Sequence, residues 1–210
     1  MRRNSERGFS IVEMLVTMAI FSLVSGSVLA LVSDTYRSYT NEKANSDVMW
    51  DGRAAVDLMV RELRLAGYPP VGAYAASAGL TSANSNLVAT TFVTAAATQV
   101  VFEADLDGDG VVERVEYRLN GSVLERSAVP KNADGSVSAA QYQTLAANVN
   151  NGSTALFTYT TDSLSTLTAP GNTNSVRIAL LLKTPAPDLR NGQYRTFRFE
   201  GVAFRQNPER

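Results

Sequence analysis

An acidic stretch near the middle of the chain has the residue types and the spacing of a calcium-binding loop. Asp105, Asp107 and Asp109 alternate with other residues, Gly110 follows them, and Glu116 completes the pattern D-x-D-x-D-G-x5-E. In such loops, oxygen atoms at alternate positions converge on a hard cation, and the glycine allows a sharp turn. Calcium is therefore the one cofactor that the sequence suggests.

The flanks of this stretch differ from those of a helical calcium loop, because residues 99–104 and 111–119 are predicted to be paired strands. Strand alternation then turns Glu116 away from the loop. The remaining candidate ligands all offer oxygen atoms: the side chains of Asp105, Asp107, Asp109 and Glu113, and the carbonyl of Val111. The alternative is a solvated hairpin turn, since aspartate and glycine favour turns without a metal.

A second candidate for chemistry is Glu13, the one charged residue in an apolar run from Phe9 to Ser33. The run is long enough to cross a bilayer as a helix, which takes roughly 20 apolar residues. A carboxylate there costs about 3 kcal/mol and is tolerated where it meets a partner. Glu13 is therefore predicted to be functional, and the alternative is an ordinary acid at the membrane interface.

The start of the chain resembles a type IV prepilin. A short basic leader ends at Gly8, an aromatic residue follows at Phe9, and Glu13 is the fifth residue counted from Phe9. The resemblance implies that a prepilin peptidase cuts between Gly8 and Phe9, that Phe9 is N-methylated, and that Glu13 supports filament assembly. In an apolar bundle, the Glu13 carboxylate of one subunit could pair with the new ammonium of a neighbour, where either charge alone is expensive.

The leader does not fit a secretory signal peptide, whose apolar core of about 7–15 residues is followed by a small-residue cleavage site. Its three basic residues, Arg2, Arg3 and Arg7, place it in the cytoplasm by the positive-inside tendency. We therefore expect the protein in a bacterial inner membrane before assembly, with the rest of the chain on the periplasmic side. After assembly, it would belong to an extracellular pilus or a periplasmic pseudopilus.

Beyond the apolar run, the helical pattern continues. Apolar residues at helical spacing from Val56 to Ala66 predict an amphipathic segment, and Gly67 with the two prolines after Tyr68 predicts its end. One helix is thus expected from Phe9 to about Ala66. Met49 and Trp50 are expected to pack in the core.

After a loop over 71–86, β-branched and aromatic residues alternate between turn signals. The predicted strands are 87–93, 99–104, 111–119, 122–127, 155–160, 175–184 and 194–205, with a tight hairpin at Asn120-Gly121. The fold class is therefore α+β and pilin-like: a long N-terminal helix spans the membrane with its first half and packs its second half on an antiparallel β-sheet head. The expected divisions are a leader over 1–8, an assembly helix over 9–33, its amphipathic continuation over 34–67 and a head over 68–210.

Composition narrows the function. The chain has no cysteine and no histidine, which excludes disulfides, thiolate or imidazole metal sites and histidine-based triads, so an enzyme is not expected. The formal net charge is −1, which gives no indication of a nucleic-acid partner.

Several segments of the helix end and the head resemble the minor pilins called PilW, which are related to pseudopilin J of type II secretion. This resemblance is weaker than that of the leader, and the segments include 63–68, 111–129, 149–159 and 202–207. The resemblance implies a minor pilin that initiates assembly or sits at the tip of a type IV pilus, a filament used in cell adhesion and twitching motility. The implied partners are other pilins and minor pilins, the prepilin peptidase, the inner-membrane assembly platform and a tip adhesin. Two alternatives remain: a pseudopilin of a type II secretion or DNA-uptake system, and a membrane-anchored, calcium-dependent adhesion module.

Overall fold

A computed structural model describes residues 9–160 and 173–206, and it confirms the predicted α+β architecture. One helix, α1, runs from Ile11 to Arg64. Its 54 residues make a rod about 80 Å long. Ser10 caps its first turn, with the hydroxyl accepting a hydrogen bond from the Val12 N–H at 3.3 Å.

The helix ends where the sequence predicts a stop. Gly67 has φ +81°, and its N–H donates to the Glu103 carbonyl at 2.8 Å, so the chain turns from the helix directly onto the sheet. A Cβ at this position would lie 2.6 Å from the Thr91 hydroxyl oxygen. The left-handed backbone and the close approach both require glycine here.

Within the described residues, the head contains eight strands and two short 3-10 turns at Val71–Ala73 and Ala76–Ala78. The strands are β1 (Phe92–Ala96), β2 (Gln99–Ala104), β3 (Glu113–Asn120), β4 (Val123–Pro130), β5 (Gln143–Ala146), β6 (Phe157–Thr160), β7 (Ser175–Lys183) and β8 (Thr196–Phe204). They make two antiparallel sheets, ordered β1-β2-β3-β4-β5 and β6-β7-β8. The hairpin predicted at Asn120-Gly121 joins β3 to β4, with Asn120 paired to Val123 and Gly121 at φ +60°.

Two strand predictions were wrong. Residues 87–91 do not form a strand, because Thr90 and its neighbours hydrogen-bond singly to other segments and regular pairing starts only at Phe92. The short strand β5 was missed, since it carries little apolar alternation and follows a polar loop. The division of the strands into two sheets was also not predicted.

The second half of α1 packs across β8 and β7, and the core contains buried residues from this half of the helix and from both sheets. Val56, Met59 and Leu63 are buried, as the helical stripe predicts. Two glycines allow close packing: the Phe199 ring lies against Gly52, and the Val56 side chain lies against Gly201. The predicted burial of Met49 and Trp50 was wrong, because Trp50 is 73% exposed and Met49, at the edge of the helix face that packs on β8, is 36% exposed.

Candidate functional site

The membrane-side end of α1 carries the residues predicted to act in assembly. Phe9 is 80% exposed just before the helix, and Glu13 lies in the first turn, where the helix dipole favours a negative charge. Among the residues that the structure describes, no side chain or backbone group pairs with the Glu13 carboxylate. The other cleavage residue, Gly8, lies outside the described residues, as does the rest of the 1–8 leader.

The apolar span from Phe9 to Ser33, which is helical from Ile11 onward, exposes apolar side chains all round. Its most apolar window has a mean hydropathy of 2.3, and none of that window is buried against the head. α1 is, in the described part of the chain, the helix that is long and apolar enough to cross a membrane.

Several hydroxyl groups within this span donate hydrogen bonds inside the helix itself. Thr17 donates to the Met14 carbonyl at 2.9 Å, and Ser22 donates to the Met18 carbonyl at 2.7 Å. Such bonds lower the cost of a polar group in lipid. Glu13, the one charged residue in the span, has no such hydrogen bond to a described residue and would need a partner in the bilayer.

The acidic loop between β2 and β3 brings three carboxylates together. Ligand oxygens of Asp105, Asp107 and Asp109 all lie within 4.8 Å of one another. Asp105 is buried and accepts from the Gly108 and Gly110 N–H groups at 2.7 and 3.1 Å, whereas Asp107 and Asp109 are exposed. These three side chains could hold a cation, and their mutual repulsion would fall if they did.

The two glutamates near this loop differ in position, as strand alternation predicts. Glu113 faces the loop and accepts from the Leu106 N–H at 2.9 Å. Burial raises the pKa of the Glu113 carboxyl above its usual range, and the nearby aspartates act in the same direction, although the Leu106 N–H opposes them. Glu116 instead accepts from the Gln99 side-chain amide at 2.7 Å on β2 and is not part of the cluster.

A polar brace that the sequence did not predict joins the β7–β8 loop, residues 184–195, to α1 just after the apolar span. The Asn41 amide donates to the Asp188 carboxylate at 2.7 Å, and the Leu189 N–H donates to the Asn41 side-chain oxygen at 3.1 Å. The Arg190 guanidinium donates to both Asp34 carboxylate oxygens at 3.0 and 3.1 Å. The paired residues are far apart in sequence, so no local pattern could have indicated them.

Asp188 organises the loop as well as the contact. It accepts from the Arg190 N–H at 2.8 Å and pairs with Arg195 at 3.1 Å. The Arg190 N–H contributes most to holding the pKa of the Asp188 carboxyl below its usual range, with help from Arg195 and Asn41.

Two clusters of buried charged groups lie in the head, and the first of them joins it to the helix end. Glu62 on α1 receives the Tyr117 hydroxyl and the Arg126 guanidinium, both from the larger sheet. Lys131 and Glu103 pair at 3.0 Å, and both side chains are almost fully buried. Within the described residues, each of these buried groups already binds partners of the fold, which gives them a structural role.

Comparison with known proteins adds one finding at the N-terminus. Residues 3–29 match the family model of the prokaryotic N-terminal methylation motif. The matched segment contains Gly8, Phe9 and Glu13 and the first part of the span. It supports a type IV pilin-like prepilin that is processed by a prepilin peptidase, assembles with other pilins and is anchored in a membrane before assembly. The search among curated proteins found no match to the chain.

Proposed function

We propose that this chain is a minor pilin of the PilW type, which helps to initiate assembly of a type IV pilus or sits at the filament tip. The observation that carries the proposal is a methylation motif that overlaps an exposed apolar helix, in which the Glu13 carboxylate has no partner among the described residues. Its role is structural association and not catalysis. The partners are other pilins and minor pilins, the inner-membrane assembly platform and a tip adhesin.

Association would run through both halves of α1. The span from Phe9 to Ser33 buries nothing within the monomer, so its apolar surface is available first to lipid and then to neighbouring helices. In a bundle, Glu13 is proposed to pair with the ammonium of a neighbour's Phe9, which would set the axial register. The second half of the helix is packed on β7 and β8, so the head follows the helix into the filament as one unit.

The first test is the processed N-terminus. Protein recovered from membranes or filaments is expected to begin with N-methylated Phe9, and Gly8→Leu is expected to keep the leader, because a bulky side chain replaces the glycine at the cut. Mass analysis of the N-terminal peptide measures both. Met1 retained in functional filaments, or a cut within the apolar span, would contradict the assignment.

The second test is co-purification of intact filaments with identification of their subunits. A minor pilin is expected at low copy number beside a major pilin, and its deletion should remove filaments. Recovery with secretion components instead would favour the pseudopilin alternative.

A calcium-dependent adhesion module is the other candidate function, and the clustering of the Asp105, Asp107 and Asp109 oxygens favours it. We propose that this loop binds calcium weakly, with the Val111 carbonyl and Glu113 as additional ligands. Normal filaments with loss of calcium-dependent surface binding on deletion of the chain would favour this function over assembly.

A further inference from the structure

We propose that the β7–β8 loop contacts phospholipid headgroups while the chain is anchored in the bilayer, with Arg190 as its phosphate ligand. The inference rests on the membrane anchoring within the proposed function. It concerns a surface of the head, residues 184–195, which the methylation motif does not include.

The β7–β8 loop meets α1 just beyond the end of the apolar span. Arg190 contacts Asp34 and Ser38, and Asp34 is the first charged residue after the apolar span. The stretch from Asp34 to Asn41 covers about 10 Å of helix. One headgroup layer is roughly 5–8 Å thick. The brace therefore holds the loop at the level of the bilayer surface whenever the span is inserted.

The chemistry of the loop suits that level. The Arg190 Nη2 atom donates to Asp34 and to the Ser38 hydroxyl. Its Nε and Nη1 atoms have no hydrogen-bond partner within residues 9–160 and 173–206. A guanidinium has five N–H donors, and each of its two-nitrogen forks includes Nη2, which the brace occupies. The N–H groups on Nε and on Nη1 can therefore each donate a single hydrogen bond to a lipid phosphate oxygen without breaking the brace.

Other exposed side chains lie at the same height along the axis of α1, although the two tyrosines among them lie on other faces of the helix. Tyr36 and Tyr39 on α1 are 67% and 65% exposed, and Leu189 at the loop tip is 50% exposed. Tyrosine is enriched at membrane–water interfaces, where its ring lies among the headgroups and its hydroxyl reaches water. These residues and Arg190 therefore share one level along α1, and their side chains suit the bilayer surface at that level.

The test uses depth-dependent fluorescence quenching, for which the cysteine-free chain is suited. The full-length protein is reconstituted in bilayers with one labelled cysteine, at Leu189→Cys, Leu23→Cys or Arg61→Cys. Leu23 is exposed in the span, and Arg61 is exposed on the same helix about 40 Å beyond Asp34. Each sample is quenched either by headgroup-labelled or by acyl-chain-labelled phospholipid.

We expect headgroup-labelled lipid to quench Leu189→Cys, acyl-chain-labelled lipid to quench Leu23→Cys, and neither to quench Arg61→Cys. A Leu189→Cys label that behaves like Arg61→Cys, while Leu23→Cys is quenched, would overturn the proposal and leave membrane anchoring intact. An unquenched Leu23→Cys label would overturn the anchoring, and the proposal with it.

The role of Arg190 is tested in the Leu189→Cys background. Arg190→Gln is expected to weaken quenching by headgroup-labelled lipid, because the phosphate contact is lost. Arg198→Gln is the matched control, since Arg198 is also exposed and paired with an acid, Glu200, but lies on β8. Equal quenching in both variants would overturn the assignment of Arg190 as the phosphate ligand.

Discussion

The Glu62 carboxylate on α1 receives two hydrogen bonds from the Arg126 guanidinium on β4, at 2.8 and 3.0 Å. The Tyr117 hydroxyl donates to the same carboxylate from β3. Burial is the main cause that raises the pKa of the Tyr117 phenol, and the charge of Glu62 is the next. Three elements thus meet at one buried acid. These directional contacts fix the position of the helix on the larger sheet more narrowly than the apolar stripe alone can.

Glu62→Ala is predicted to destabilise the head by about 3 kcal/mol, because it leaves a half-buried guanidinium and a buried hydroxyl without their acceptor. The measurement is urea unfolding of the full chain in detergent micelles, followed by near-ultraviolet circular dichroism of the head.

The matched control is Glu200→Ala, which removes the acid of the exposed Arg198–Glu200 pair. Exposed pairs contribute about 0–1 kcal/mol, so this variant should unfold close to the wild type. Equal stability of the two variants would contradict the assigned role of Glu62.

The contact between α1 and the sheets has a part that local sequence patterns indicate and a part that they do not. The spacing of Val56, Met59 and Leu63 predicted the buried face of the helix, because helical periodicity is a local property. Glu62 lies on that same face and is buried. No pattern near Glu62 in the sequence indicates that it binds Arg126, because Arg126 is 64 residues away. The burial predicted for Trp50 was wrong for a related reason. A tryptophan side chain favours burial, but the sheet covers another face of the helix.

Residues of the candidate sites can be proposed from the sequence where the pattern that indicates them covers only a few neighbouring positions. Phe9 and Glu13 are defined by short spacing, and the turned-away position of Glu116 follows from strand alternation. The brace between Asp34 and Arg190 depends on tertiary folding across 156 residues, and only the structure could reveal it.

Glu13→Ala is predicted to leave processing largely intact and to reduce incorporation into filaments. The substitution removes the carboxylate that would pair with a neighbour's ammonium in an apolar bundle, and that ammonium then stays unpaired at a cost of several kcal/mol. The measurement is the ratio of this subunit in sheared filaments to that in membranes, by quantitative immunoblot.

Ser22→Ala is the control for this experiment, because Ser22 lies in the same span and its hydroxyl is satisfied within the helix. It should incorporate like the wild type. Wild-type incorporation of Glu13→Ala would refute the charge-pairing role.

The loop brace is predicted to weaken in acid. The Asp188 pKa is lowered in the fold, so its contribution to stability is present above the unfolded value, about 3.9, and is lost as the pH falls through the folded value. Hydrogen exchange at the Leu189 and Arg190 amides, corrected for the intrinsic pH dependence of exchange, should show lower protection below about pH 4.

Asp188→Asn provides the comparison, since its amide cannot titrate. In this variant, protection of the loop amides should be lower at neutral pH and should no longer fall with acid. An unchanged acid dependence in Asp188→Asn would mean that another group controls the loop.

The acidic loop is predicted to gain stability from calcium. Near neutral pH, the raised pKa of Glu113 means that its charged form is less favourable in the fold than in the unfolded chain, and a bound cation would offset this penalty. Extracellular calcium modules bind with dissociation constants of roughly 10⁻⁴–10⁻³ M. Calcium at tenfold excess over that constant would add about 1.4 kcal/mol by linkage.

The measurement is the thermal midpoint of the head in chelator and in millimolar calcium, with magnesium at the same concentration as a test of ion size. Asp107→Asn removes one exposed carboxylate of the cluster and should abolish the calcium-dependent rise, whereas Glu116→Gln should keep it, because Glu116 bonds to Gln99 away from the cluster. A wild-type midpoint that calcium does not move would establish the loop as a metal-free turn.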